Sequence, residues 1–343
     1  MSSQITFSDE QTMLLDTATE FCRKHSPIET VRARLDADQI DATTWKEITD
    51  LGWLGINVPE EFGGLGLGLS CVVPVAESMG RYLMGTPYNG AITASECLAT
   101  SGSREQKEEW LPKIVSGAIG SMALIETNGS WILDQIEAQA IASEDMFELS
   151  GTKCFVTDAD AADFYIVSVN VEAKARLALV KREQIPEGNL HREIVIDETR
   201  RSYQLDLDGI MVPVDQLLEG SDFQAIEFAS LLLLSAEITG GLVGSIHTIV
   251  EYLNTRRAFD KVIGSYQALK HPTVKILLDL EASRSHLYHA ATVLAGDNAG
   301  EAEIALRMAK SHGSAAFAFA GDRAVQFHGG FGFTYDCDAQ LYL

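Results

Sequence analysis

The chain has 343 residues, 46% of them hydrophobic and 22% charged, with a formal net charge of -23. A chain of this length can bury more than one packed core, and so acidic a balance repels phosphate backbones and anionic lipid surfaces, leaving nucleic-acid and membrane-surface binding only to a strongly segregated basic patch that the sequence lacks. Five cysteines, Cys22, Cys71, Cys97, Cys154 and Cys337, are odd in number and widely scattered without a Cys-x-x-Cys pair, so neither a disulfide framework nor a metal site is expected and a reducing cytoplasm fits best.

Taken in chain order, the N-terminal run MSSQITFSDEQ has no basic start followed by an apolar stretch, so no leader is expected. No apolar run approaches the roughly 20 residues of a membrane span. Ser8 with Gln11 forms a capping box ahead of Leu14, Leu15, Ala18 and Phe21 at helical spacing. Asp41 or Thr43 caps a second helical pattern carrying Trp45, Ile48 and Leu51, and the run Pro59-Glu60-Glu61-Phe62-Gly63-Gly64 breaks it into a loop. Residues 1–118 therefore read as a helical domain. From 119 to 220 the period falls to two: Tyr203, Leu205 and Leu207 alternate with Gln204, Asp206 and Asp208 before Gly209 turns the chain, and 164–169 and 175–180 suit strands. This zone is expected to be a small β domain. Helical patterns return over 221–343, where 231–234 is apolar on every side and predicts a helix buried all round, while Gly240, Gly241 and Gly244 permit close approach of a neighbouring helix.

Two segments of the last zone carry chemistry. In YLNTRRAFDKVIGSYQ, residues 252–267, a cation at Arg256 stands three residues before Phe259, the spacing of a shared helical face. In QFHGGFGF, residues 326–333, a glycine-rich aromatic turn lets backbone N–H groups approach an anion closely. Together they have the makings of half a nucleotide site.

These segments, with FSDEQTMLLDTATEF, WLGINVPEEFGGLGLG and FELSGTKCFVTDADAADFYIVSVN, resemble the acyl-CoA dehydrogenase family, in the family's order over about 330 residues. The resemblance implies an α+β fold: a helical N-terminal domain, a middle β-barrel or sandwich domain and a C-terminal four-helix bundle. It also implies FAD, a CoA thioester substrate, α,β-dehydrogenation and electron-transfer flavoprotein as electron acceptor. By the same resemblance, Arg256, Phe259, Gln267, Gln326, Gly329 and Gly330 grip the flavin dinucleotide of a neighbouring subunit, the guanidinium fork on its diphosphate. Phe155 and Thr157 match the aromatic-x-threonine that flanks the flavin ring.

The departures from the family pattern matter as much. Asp260 stands where the family usually has glycine, and Ile125 stands where a threonine donates to the flavin, in a loop one residue short. No catalytic residue is assigned. The family's base is carried either on a segment beyond the glycine turn, past Gln340-Leu341-Tyr342-Leu343, or on the earlier helix at or near Ser230, and neither place offers a carboxylate. Glu227 and Glu237 read as surface or packing residues, and neither His328 nor Asp336 is taken as base. The expectation is one subunit of a heteromeric α2β2 acyl-CoA dehydrogenase, resembling the short base-lacking subunits that act on steroid side chains, with a homologous partner supplying the base. Two alternatives stay open: a conventional homotetrameric enzyme with a truncated C-terminus, and a non-enzymatic scaffold. A cytoplasmic protein with neither nucleic-acid nor membrane partners is expected.

Overall fold

The computed structural model describes residues 8–35, 37–296 and 298–343; the N-terminal run 1–7, read above for a leader pattern, lies outside them. Six helices come first: α1 Asp9–His25, α2 Ile28–Ala33, α3 Ala42–Asp50, α4 Val73–Arg81, α5 Tyr88–Ser101 and α6 Arg104–Val115. Ten strands follow: β1 Gly120–Ala123, β2 Ile125–Glu126, β3 Gln139–Ser143, β4 Met146–Ser150, β5 Thr152–Thr157, β6 Phe164–Val171, β7 Lys174–Lys181, β8 Leu190–Glu193, β9 Ser202–Asp206 and β10 Met211–Pro213. The long helix α7 Phe223–Thr255 leads into the short hairpin of β11 Arg257–Ala258 and β12 Lys261–Val262, and α8 Gln267–Leu294 and α9 Ala299–His328 complete the chain's long elements.

Local signals explain the helix starts. Ser8 Oγ accepts from the Gln11 N–H while the Gln11 side chain returns to the Ser8 N–H, closing a reciprocal capping box. Asp41 caps α3 through the N–H groups of Thr43 and Thr44; Trp45 and Ile48 are buried, whereas Leu51 falls at the C-cap and is exposed.

The chain divides into two compact units. One comprises Leu35–Gly68 and Thr86–Ser230 and holds both main sheets. Its larger sheet runs β1-β6-β3-β4-β10 with β7 also paired to β6; the smaller runs β2-β5-β9-β8. Strand β6 is buried from Phe164 to Val169, as a central strand covered on both faces should be. Helices in this unit are tied to it by side chains: Trp45 Nε1 donates to Gly117 O at 2.8 Å, and Gln106 Nε2 to Asp215 O at 2.8 Å.

The other unit comprises Met1–Arg34, Leu69–Gly85 and Leu231–Leu343. Here Gly240 and Gly244 admit close backbone approach as expected, whereas Gly241 makes room for the Phe317 ring, which would lie 2.6 Å from a Cβ there. A Cβ on Gly240 would lie 1.9 Å from Glu77 O on α4, and one on Gly244 would lie 2.5 Å from Arg81 O. Glu77, itself buried, accepts from Arg284 at 3.0 Å and from the Tyr288 hydroxyl at 2.6 Å, fastening α8 to α4.

Two expectations about α7 are corrected. The helix is long and apolar enough to cross a membrane by length and composition, contrary to the sequence reading; 72% of its most apolar window is buried inside the protein, which is how a core helix passes that test. It is also not buried all round, since Leu234 is 42% exposed.

Candidate functional site

The geometry around the end of α7 differs from a continued helix. The helix stops at Thr255, so Arg256 and Phe259 do not share a helical face. Phe259 and Asp260 instead adopt φ of +52° and +62° and form the two-residue turn between β11 and β12. Two consecutive left-handed residues are the signature of the tight hairpin turn whose twist matches its strands. That conformation gives a physical reason for glycine to be favoured at position 260, and the Asp260 side chain is exposed. Arg257 donates to Asp260 O at 2.8 Å and Tyr266 Oη to Ala258 O at 3.1 Å, bracing the turn. The Phe259 ring projects from its tip, 90% exposed.

The two motifs meet through a pair of aromatic rings that the sequence reading did not assign to the site. Tyr252 stacks on His328 with centroids 4.0 Å apart and 27° between planes, and its hydroxyl donates to His328 O at 3.4 Å. His328 is buried, and its Nδ1 donates to Ala324 O at 2.7 Å, so the ring is a structural bracket. Arg256 lies one turn beyond Tyr252, and Gly329 directly follows His328. The visible signals were Tyr252 at the start of one motif and His328 beside the glycines of the other.

Around this bracket the candidate residues are exposed. Arg256, Gln267, Gln326, Gly329 and Gly330 all face outward, and among the described residues the Arg256 guanidinium has no carboxylate or carbonyl partner. Gly329 has φ +63°, and Cβ atoms built on Gly329 and Gly330 would meet nothing within 4 Å, which leaves the backbone open to a ligand. Gln267 is the first residue of α8, whose N-cap Tyr266 makes no side-chain cap and whose first turn holds no acidic residue. Ile263 N donates to Arg256 O at 2.8 Å, linking the turn that precedes that helix to the arginine. A guanidinium without a protein partner, an uncompensated helix N-terminus, two exposed amides and an open glycine turn suit an anionic diphosphate with polar groups attached. The residues present fit a dinucleotide.

Phe155 and Thr157 belong to the other unit, on β5. Both are exposed, and Phe155 has φ +54° at a register shift against β9. Beside them, Ile125 on β2 pairs with Cys154. The adjacent pair Glu126 and Lys153 forms a buried ion bridge at 2.6 Å, with Lys153 also donating to Ser168 Oγ at 2.9 Å. Burial opposes the charge on Glu126, but hydrogen bonds from Lys153 Nζ and from the Ala138 and Glu137 N–H groups outweigh it and hold the carboxyl below its ordinary range. Ser230 is exposed on α7 and carries a hydroxyl, not a carboxylate. Among the described residues no group of three or more His, Cys, Asp or Glu could hold a metal.

The fold is that of an acyl-CoA dehydrogenase. The family's N-terminal domain model matches residues 8–118 and its C-terminal domain model residues 232–343. The chain belongs to the acyl-CoA dehydrogenase family, FAD-binding oxidoreductases that act on the CH–CH bond of acyl-CoA thioesters. It is 30% identical over 306 residues to acyl-CoA dehydrogenase FadE12 of Mycobacterium tuberculosis, spanning 84% of this chain and 78% of that protein. Among solved structures it resembles the ChsE4-ChsE5 complex from Mycobacterium tuberculosis, with TM-score 0.88 and 25% identity over 99% of this chain and 92% of the other. A steroid ACAD, Tcur3481-Tcur3483, matches with TM-score 0.87 and 26% identity over 97% and 91%.

Proposed function

We propose that this chain is one subunit of a heteromeric acyl-CoA dehydrogenase, completing the FAD site of a homologous partner that carries the catalytic base. The observation that carries the reading is the outward-facing set of Arg256, Gln267, Gln326, Gly329 and Gly330 around the Tyr252–His328 stack, a grip with its polar groups directed away from its own chain. Two relatives of high structural similarity are themselves paired assemblies, one described as a steroid ACAD, which supports an α2β2 assembly and a steroid side-chain CoA ester as the substrate class.

In this reading Arg256 offers its planar fork to the diphosphate, and the amides of Gln267 and Gln326 hydrogen-bond the adenosine half. Gly329 and Gly330 bring the backbone close, and the Phe259 ring covers apolar surface of the cofactor. FAD, when bound, supplies the acceptor for the hydride from the β-carbon. The α-proton is left to a carboxylate of the partner, because Ser230 holds only a hydroxyl where an earlier-helix base would stand. Phe155 and Thr157 form this chain's own flavin-side edge, which lacks a hydroxyl donor at Ile125. Electron-transfer flavoprotein is the proposed acceptor, and the cytoplasm, where five unpaired cysteines persist, the proposed location.

The test is co-expression of the full chain with homologous dehydrogenase subunits encoded beside it, followed by native mass spectrometry and flavin absorbance near 450 nm (order of magnitude for any flavin). A yellow, active assembly containing two unlike subunits is expected. A yellow, active protein formed by this chain alone would overturn the reading.

A further inference from the structure

Strand β5 changes face partway along. Lys153 opposes Leu205 on β9, and Val156 opposes Tyr203, so three steps on β5 match two on β9 and one residue is extra. Successive side chains of a strand alternate in direction, and one inserted residue inverts that alternation downstream. In an unbroken register Phe155 would stand opposite Tyr203, on the buried side with Lys153. With the bulge Val156 takes that buried place, and Phe155 and Thr157 are both turned outward. The outward direction of both residues is therefore a product of the bulge.

The bulge has a backbone cost and a clamp. Phe155 sits at φ +54°, a region in which a bulky residue is disfavoured. Its N–H, displaced from the ladder, donates to Glu193 Oε2 at 3.0 Å. The same oxygen accepts from Ser202 Oγ at 2.6 Å. Ser202 pairs with Glu193 on one side and with Thr157 on the other, so Glu193 reaches across the intervening strand and ties β8, β9 and the bulge of β5 to one carboxylate.

We propose that Glu193 is a positioning residue that holds the β5 bulge and so sets the direction of Phe155 and Thr157. Its consequence for the cofactor rests on the reading of those two residues as the flavin-side edge; the clamp itself does not.

The test uses the full chain, alone and co-purified with its partner, in Glu193→Ala, Glu193→Gln, Phe155→Gly and the Glu193→Ala/Phe155→Gly double variant. Gln keeps an acceptor oxygen, so Glu193→Gln should unfold close to the parent while Glu193→Ala unfolds at a lower urea midpoint. Glycine adopts positive φ without strain, so in the Phe155→Gly background the loss caused by Glu193→Ala should shrink by at least half. Equal losses in both backgrounds, or no rescue by Gln, would overturn the clamp. For the cofactor, titration of the assembly with FAD should show affinity about tenfold weaker in Glu193→Ala, the size of one lost anchoring interaction, with an altered flavin band shape and recovery in Glu193→Gln. Unchanged FAD affinity and spectrum alongside an intact unfolding cycle would refute the flavin reading of Phe155 and Thr157 and leave the clamp standing.

Discussion

Replacing Lys153 by methionine probes the ion bridge that anchors the β2 to β5 pairing. Methionine has nearly the length of lysine and suits the buried site, so lost volume contributes little. What remains is the Glu126 carboxylate, 6% exposed, still accepting N–H bonds from Glu137 at 2.7 Å and Ala138 at 3.0 Å but stripped of the buried Lys153 cation. Removing one partner of a buried pair costs about 3–5 kcal/mol, because the stranded charge keeps its desolvation penalty. For a unit of this size each kcal/mol lowers the melting temperature by about 2–4 °C, so Lys153→Met should melt roughly 6–20 °C below the parent. Glu126→Gln in the same chain removes the stranded charge while retaining an acceptor for a backbone N–H, so the double variant should regain most of the loss. Thermal and urea unfolding followed by far-UV circular dichroism reads all four proteins of the cycle. A Lys153→Met protein within about 0.5 kcal/mol of the parent, or a double variant no more stable than Lys153→Met, would refute the argument.

Other expectations follow from the same geometry. Gly240→Ala drives a methyl to 1.9 Å from Glu77 O, and because backbone must shift, the cost should be about 1–3 kcal/mol or more despite alanine's better helix propensity; a neutral urea midpoint would contradict it. Arg256→Ala should leave the unfolding midpoint of the chain unchanged, since the guanidinium is exposed, but weaken FAD retention in the assembly roughly 10- to 100-fold by equilibrium dialysis. The folded Glu126 carboxyl titrates below its unfolded counterpart, so its contribution to stability is complete above the ordinary carboxylate range near about 4.3 and is lost as pH falls through the lower folded value. Parent stability should thus decline in acid more steeply than that of the Lys153→Met/Glu126→Gln variant, as measured by urea midpoints over a pH series.

Much of the fold was legible because its signals are local. The capping box at Ser8 and Gln11 needs only four adjacent residues, and the alternation through Tyr203 and Leu205 needs only one strand. The close approaches at Gly240 and Gly244 could be anticipated from glycine itself, although not the identity of α4 as the element that approaches. The candidate grip was readable through the resemblance, yet its geometry was not. Nothing in a phenylalanine and an aspartate announces two left-handed residues, and helical spacing wrongly put Arg256 and Phe259 on one face. The bulge at Phe155 was hidden for a different reason: register belongs to a pair of strands, and Glu193 lies 38 positions away in the chain. Leu234 is exposed because the packing partners of a helix are set by tertiary arrangement, which an all-apolar window cannot report.

All five cysteine thiols are unpaired and buried. The native chain should consequently be silent toward aromatic disulfide reagents, and the rate at which each sulfur becomes reactive is a clock for the opening of the segment around it. That silence also makes the hairpin tip addressable, since a cysteine installed by Asp260→Cys would be the one fast-reacting sulfur, and a dye attached there would sense a partner's arrival directly.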